Sequence, residues 1–457
     1  MLDYDAIIIG TGQAGSPLAM RLAGAGMRVV IVERGLIGGT CVNTGCTPTK
    51  TLIASAHAAH MARRAGEYGI VVTGGVIADM KRVRARKDAI VEQSRRGLKA
   101  SLEQTAHCTF LEGHARFLSP HEVGVGGSVL KAERFFINVG ARAVIPVLPG
   151  LDQVAYLTNT SMMDLDTLPR HLMIIGGGSI ALEFGQMYRR FGSAVSLVER
   201  APRLIAHEDE DVSQAVQDIL EGEGIAVHLG AACTSVAKRG DDIVVATKGA
   251  NGTSEVIGSH LLLAVGRRPN TDDLGLDAAG VRRDEHGYVG VDDQLRTNVP
   301  GIWALGDCNG RDAFTHTSYN DFEIVSANLL DDDPRRVSDR VPAHALYIDP
   351  PLGRAGMTEA EARQSGRRVL VGRRSMTHVA RAVEKDETQG FMKVLVDGDT
   401  KEILGACILG PGGDEVVHCV LDLMLAKAPY TVLQRAMHIH PTVSELLPTI
   451  LGALQPP

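Results

Sequence analysis

One unit of this chain occurs twice. Residues 4–9 form a short β-branched run, Gly10-Thr11-Gly12-Gln13-Ala14-Gly15 opens a helical stretch to about Ala25, and residues 27–32 read as a second strand ending at Glu33. Residues 172–199 repeat it, and a shift of 166 positions superposes Gly10 on Gly176, Gly12 on Gly178, Gly15 on Ala181, Gly26 on Gly192, Glu33 on Glu199 and Arg34 on Arg200. Strand, glycine turn, helix, strand and acid, in that order, make a dinucleotide-binding βαβ unit. The glycines let the backbone turn tightly and approach a pyrophosphate, which rests on the amides at the positive end of the helix. Glu33 and Glu199 are placed to accept hydrogen bonds from a ribose. Two unrelated glycine-rich turns would leave the matched acids and the equal spacing unexplained. Two dinucleotides on one chain point to a redox enzyme that passes electrons between them.

The remaining sequence narrows this reading. With 457 residues the chain has room for about three domains at roughly 150 residues each. Aromatic residues, at 4%, are too few for surfaces that stack single-stranded nucleic acid. A net charge of −7 with scattered Lys and Arg suggests neither a DNA-binding face nor a polybasic membrane anchor. No apolar run approaches the roughly eighteen residues of a transmembrane helix, and the first nine residues run into a strand without a basic leader. A cytoplasmic protein with no nucleic-acid or membrane partner is expected. Residues 80–103 read as a basic helix and 108–150 as strands, with Pro146-Val147-Leu148-Pro149-Gly150 setting a boundary near Leu151. Residues 297–307 end a strand in a Gly306-Asp307 turn. Beyond about Pro342 come strands at 391–396 and 403–409 and helices at 358–364 and 414–426, with Thr358 and Glu361 fitting a capping box.

Cysteine usage supplies the chemistry. Five of the seven cysteines are isolated, which does not read as a secreted disulfide framework. Cys41 and Cys46 are close together, in Gly38-Gly39-Thr40-Cys41-Val42-Asn43-Thr44-Gly45-Cys46-Thr47-Pro48-Thr49-Lys50. In an undistorted helix their Cα atoms would stand roughly 8 to 9 Å apart, beyond the ~7 Å limit for a bridge. The segment is therefore expected to be irregular around Gly45, with Pro48 at a first helical position and Cys46 beside a helix N-terminus, where the dipole lowers a thiol pKa. One cysteine is then suited to a cofactor and the other to exchange with a substrate. A metal site is the alternative, and it needs two further ligands that the neighbouring sequence does not supply.

The glycine turn at Gly10, the Gly38-to-Lys50 string, the second turn at Gly176, the Gly306-Asp307 pair and the late His440-Pro441-Thr442-Val443-Ser444-Glu445 follow one another as in the flavoprotein disulfide reductases, and the chain resembles that family over nearly its whole length. The family includes dihydrolipoamide dehydrogenase, glutathione reductase and mercuric reductase. The resemblance implies an α/β fold with two Rossmann-like dinucleotide-binding domains and a C-terminal α+β dimerisation domain. FAD would be bound by segments 1–150 and 273–341, NAD(P) by 151–272, and residues 342–457 would form the dimer. It places the FAD pyrophosphate on Gly10, Gly12 and Gly15, the adenosine ribose on Glu33 and the ribityl chain on Asp307. The nicotinamide dinucleotide falls to Gly176, Gly178 and Glu199. Glu199 favours NADH over NADPH, although Arg200 and Arg203 leave NADPH open. Lys50 would sit beside the flavin paired with Glu183, Cys41 and Cys46 would form the redox disulfide, and His440, oriented by Glu445 and supplied by the partner in a homodimer, would shuttle the proton.

The expected function is an FAD-dependent NAD(P)H:disulfide oxidoreductase acting on a small disulfide or related acceptor. The alternatives are a dihydrolipoamide dehydrogenase subunit of a 2-oxoacid dehydrogenase complex, a mercuric-reductase-like metal reductase, and a redox sensor without turnover. Residues 451–457 carry no vicinal cysteines of the kind that deliver mercuric ion. Ser179 stands where glutathione reductases have an aromatic lid, and Met20 where they have an arginine for the peptide. Cys46-Thr47-Pro48-Thr49-Lys50-Thr51 departs from the usual continuation in dihydrolipoamide dehydrogenases.

Overall fold

The computed structural model describes residues 2–250 and 252–456; Met1, Asn251 and Pro457, which fall in the expected segments 1–150, 151–272 and 342–457, lie outside the described residues. Residues 6–9 and 29–32 are apolar without alternation and are buried throughout, as strands inside a parallel sheet covered on both faces must be. Leu2–Ile9 accordingly runs parallel between Val29–Glu33 and Ser128–Ile137. Cys108–Glu112 extends one side, and Glu122–Val125 and Arg116–Ser119 extend the other as antiparallel strands. Ile302–Ala304 returns from far down the chain to pair in parallel with Ser128–Ile137. Helix α1 (Gly15–Gly24) buries Leu18, Ala19 and Leu22 against this sheet. After Glu33 the chain forms the short α2 (Gly39–Asn43), then α3 (Cys46–Arg64) and the long α4 (Met80–Gln104).

The second unit repeats the first in register as well as in sequence. His171–Ile175, α5 (Ser179–Phe191) and Ala194–Val198 lie in a four-stranded parallel sheet completed by Ala226–His228 and His260–Leu263. The pairs Ala6↔Val29 and Ile9↔Val32 become Leu172↔Val195 and Ile175↔Val198, at the same shift of 166. Gly10 N donates to Val32 O at 2.8 Å, and Gly176 N to Val198 O at 2.9 Å. Helix α6 (Glu210–Gly222) and a three-stranded antiparallel sheet of Ala232–Arg239, Asp242–Gly249 and Gly252–Gly258 complete this region.

Helix α7 (Thr315–Leu330) leads to the last part, a five-stranded antiparallel sheet ordered Ala343–Leu346, Leu352–Gly356, Ile403–Leu409, Phe391–Asp397, Val369–Ser375. The chain is thus a mixed α/β protein whose regions share buried surface. One core cluster joins Leu52 and Ala56 of α3, Phe184 and Tyr188 of α5, and Leu346, Ile348 and Phe391 of the last sheet.

Three local expectations need correction. Helix α3 begins at Cys46 rather than at Pro48, because Gly45 (φ −126, ψ −121) ends the preceding turn. Pro48 still falls in the first turn, where a missing N–H costs nothing. The expected 414–426 helix is two, Gly413–Val416 and His418–Leu425, joined at Val417. Gly306 and Asp307 open one turn of 3-10 helix, Gly306–Asn309, rather than a simple turn. The capping box forms, with Glu361 N donating to Thr358 Oγ1 at 3.1 Å and Thr358 N to Glu361 Oε2 at 2.8 Å.

Candidate active site

Cys41 lies on α2 and Cys46 is the first residue of α3. Glycine is required between them, since a Cβ on Gly45 would stand 2.9 Å from Thr40 O and 3.2 Å from Cys41 Cα. The Cys46 Sγ meets Thr315 Oγ1 at 3.1 Å, and Thr315 is the first residue of α7. Two helix N-termini therefore converge on one sulfur, each favouring negative charge. A hydrogen bond from Cys41, the Thr315 hydroxyl and the Lys50 ammonium overcome the cost of burial and bring Cys46 down to about 6. The same hydrogen bond, with burial, pushes Cys41 well above the ordinary thiol range. At neutral pH the reduced pair holds one thiolate, on Cys46.

Lys50, one turn along α3, donates to Glu183 Oε1 at 2.9 Å and Oε2 at 2.7 Å. Glu183 is buried on α5, so this pair links α3 to the second repeated unit. Lys50 Nζ also lies 4.4 Å from the centre of the Tyr347 ring.

A cavity of about 620 Å³ runs from Glu33 past Gly10 and Gly12 to Asp307, Lys50 and the two cysteines. Gly10 can carry no side chain here, for a Cβ would sit 2.2 Å from Asn138 O. Asn138 Oδ1 accepts from Gly15 N and its Nδ2 donates to Leu305 O, tying the glycine turn to the strand that precedes Asp307. Glu33 is oriented by Thr11 N, Thr11 Oγ1 and Gly35 N, at 3.0, 2.7 and 2.9 Å. Burial pushes the Asp307 carboxyl up, and its nearest cation, Arg267 Nε, stands 3.7 Å away. A carboxylate so placed is suited to hydroxyl donors. The glycine turn, the oriented acid and the underpaired Asp307 fit FAD.

Gly176 and Gly178 of the second turn lie outside this cavity, which Ser179 and Ile180 reach. A Cβ on Gly176 would meet Ala264 O at 2.3 Å, the counterpart of Gly10 against Asn138. Glu199 Oε1 accepts from Ala201 N at 2.7 Å, as Glu33 does from Gly35. Gly177 takes the place of Thr11, so no threonine hydroxyl engages Glu199. Arg203 donates to Ala206 O, while Arg200 is exposed.

His440 and Glu445 meet each other but not the cysteines: Nδ1 lies 3.1 and 3.0 Å from Oε1 and Oε2, and neither residue lines the cavity. The imidazole is 73% exposed on a carboxylate that is largely buried. His438 instead bonds the Ser444 carbonyl at 2.8 Å. The cavity thus gathers Gly10, Gly12, Glu33, Cys41, Cys46, Lys50, Glu183 and Asp307, and leaves Gly176, Gly178, Glu199, His440 and Glu445 elsewhere. Gly15 stands behind it at the start of α1. Asn138, Arg267, Thr315 and Tyr347 join the site without any motif of their own. Among the described residues no group of three or more His, Cys, Asp or Glu is arranged to hold a metal ion, and no helix is long and apolar enough to cross a membrane.

Comparison with known proteins gives a consistent result. The family described as pyridine nucleotide-disulphide oxidoreductase matches residues 4–324, and its dimerisation domain matches 342–450. The probable pyridine nucleotide-disulfide oxidoreductase RclA of Escherichia coli (strain K12) is 34% identical over 456 residues, 98% of either chain. A solved structure of RclA from Escherichia coli, an HOCl-induced flavoprotein disulfide reductase in complex with Cu(II), superposes with a TM-score of 0.91 at 33% identity, covering 99% of this chain and 100% of that one. A mercuric reductase of Streptomyces lividans is 34% identical over 97% of this chain and 94% of its own. A dihydrolipoyl dehydrogenase of Thermus scotoductus (strain ATCC 700910 / SA-01) is 33% identical over 99% and 98%.

Proposed function

The chain belongs to the pyridine nucleotide-disulphide oxidoreductase family, an oxidoreductase using FAD and NAD(P)H, and from that premise we propose that it carries electrons from NADH to a small disulfide through a Cys41–Cys46 redox pair. The observation that carries this reading is the split between the two thiols, one held as thiolate beside Lys50 and the other held protonated. In this reading residues 1–150 and 273–341 hold FAD, 151–272 hold the nicotinamide dinucleotide and 342–457 pair two subunits. Gly10, Gly12, Gly15, Glu33 and Asp307 hold FAD; Gly176, Gly178 and Glu199 hold NADH, whose 2′-hydroxyl suits Glu199 better than a 2′-phosphate would. Bound FAD would supply the two-electron relay between NADH and the cysteine pair.

The protein's own groups do the rest. Lys50, its ammonium held by Glu183, fixes positive charge on the flavin side of the pair. Cys46 keeps its negative charge there, while Cys41 faces the acceptor. Cys41 needs a base, since its thiol is held protonated. His440 serves, with Glu445 accepting from Nδ1 and leaving the Nε2 lone pair free. Standing exposed on the segment that matches the dimerisation domain, it serves the partner's cysteines. Deprotonated Cys41 attacks the acceptor disulfide to form a mixed disulfide, and the departing thiolate takes the proton from His440. Cys46 then attacks Cys41 Sγ, releasing the second thiolate, which is protonated from water, and the Cys41–Cys46 disulfide re-forms.

A second reading is favoured by the relatives: one is named a mercuric reductase, and the RclA structure is a Cu(II) complex. In it a soft metal ion takes the place of the disulfide acceptor. The test is purified holoenzyme with NADH, assayed on lipoamide, cystine and glutathione disulfide and in parallel on Hg(II) and Cu(II). Thiol titration after NADH reduction is expected to reveal Cys41 and Cys46. Turnover with cystine or glutathione disulfide, lost in Cys41→Ser, supports the first reading; turnover with the metal ions alone replaces it with the second. Exclusive use of lipoamide would identify the dihydrolipoamide dehydrogenase alternative, and thiol reduction with no turnover a sensor.

A further inference from the structure

The Lys50–Glu183 pair has a third member. Tyr347 touches both partners: its ring face receives the Lys50 ammonium at 4.4 Å, and its backbone N–H donates to Glu183 Oε1 at 3.1 Å. It sits between two strands of the last sheet, Ala343–Leu346 and Leu352–Gly356, and reaches the cavity from the segment matched by the dimerisation domain. We propose that Tyr347 is a positioning residue that holds the Lys50 ammonium in place for electron entry from NADH. This rests on the reading of Lys50 given above.

Two arguments support it. The first is that Lys50 needs a second restraint. A lysine side chain is long and strongly hydrated, and Lys50 is 34% exposed, so water competes with Glu183 for its protons. An aromatic face supplies attraction without a second negative charge. Burial, with Asp414 and Glu183 nearby, pushes the phenol up, so the ring stays neutral and its face electron-rich.

The second argument is that Tyr347 itself cannot drift. Asp349, two residues on, donates its N–H to Gln186 Oε1 at 2.7 Å and accepts from Gln186 Nε2 through its carbonyl at 2.8 Å. Its carboxylate is held by Arg190 and by His57 Nδ1, the latter at 2.7 Å. Glu183, Gln186 and Arg190 share one face of α5, while Lys50 and His57, two turns apart, come from α3. The loop carrying the ring is thus clamped between the two helices whose charges it serves.

The test compares wild type, Tyr347→Leu, Tyr347→Phe, Lys50→Met and the Lys50→Met/Tyr347→Leu double variant as holoenzymes. Two quantities are read: the redox equilibrium of bound FAD against a dye of known potential, and the rate of FAD bleaching on mixing with NADH. Tyr347→Leu is expected to shift the dye equilibrium about tenfold toward oxidised FAD, the scale of one partly desolvated cation–π contact, and to slow bleaching. Tyr347→Phe restores both. Lys50→Met shifts the equilibrium at least as far, and the double variant no further. A native equilibrium in Tyr347→Leu alongside a shifted one in Lys50→Met overturns the proposal and leaves the role of Lys50 standing. No shift in Lys50→Met overturns both. Equal impairment in Tyr347→Phe and Tyr347→Leu assigns the effect to the hydroxyl and overturns the role of the ring. A readout independent of FAD is amine labelling of Lys50 in the apoproteins, followed by mass spectrometry: several-fold faster labelling is expected in Tyr347→Leu, and equal rates would contradict the restraint.

Discussion

The two cysteines differ because their surroundings differ. Cys46 has a helix N-terminus of its own, a second one delivered by Thr315, and Lys50 one turn away. The sequence shows the first and third of these, since Pro48 and Lys50 lie in the same string. It cannot show the second, because Thr315 is 269 residues away and meets Cys46 only in three dimensions. A thiol brought down to about 6 is charged above that pH and neutral below it. In the NADH-reduced holoenzyme, a long-wavelength thiolate-to-flavin absorbance is therefore expected to persist above pH 6 and to fade as the pH drops through that value. Cys46→Ser should abolish it, whereas Cys41→Ser should show it without reductant; the reverse pattern would exchange the roles of the two cysteines. Lys50→Met removes a favourable charge and should move the fading to higher pH.

The repeated βαβ element was the most legible part of the fold, because its glycines, apolar runs and acids are local and periodic. The register match between the two copies follows from the same residues. Their parallel geometry gives parallel expectations. A methyl on Gly10 (φ +107) would collide with Asn138 O, and one on Gly176 (φ +123) with Ala264 O, and relieving such overlap costs about 1 to 3 kcal/mol and moves the backbone amides. Gly10→Ala is expected to purify colourless, without FAD. Gly176→Ala should purify yellow but be reduced by NADH only at far higher concentration, as absorbance titration would show. If Gly176→Ala lost FAD and Gly10→Ala kept it, the two units would have been assigned to the wrong nucleotides. Less legible was the start of α3. Proline favours a first helical position, but glycine at residue 45 ends the preceding turn and lets the helix begin two residues before Pro48.

At the scale of the molecule, a single chain leaves His440 exposed and away from its cysteines. Cys41→Ser and His440→Ala proteins should each be severely impaired in disulfide turnover. Unfolded and refolded together they form mixed dimers in which one site joins an intact Cys41 to an intact His440, so activity should reappear. Verified mixed dimers that bind FAD yet stay as inactive as their parents would sink the shared site. The match of residues 342–450 to a dimerisation domain makes the C-terminal region look like a handle for pairing. Tyr347 and Ala345 nevertheless stand in the cavity wall, and Leu346, Ile348 and Phe391 share one core with α3 and α5. Exchanging that region for another pairing module would also remove part of the cavity wall and of the core shared with α3 and α5.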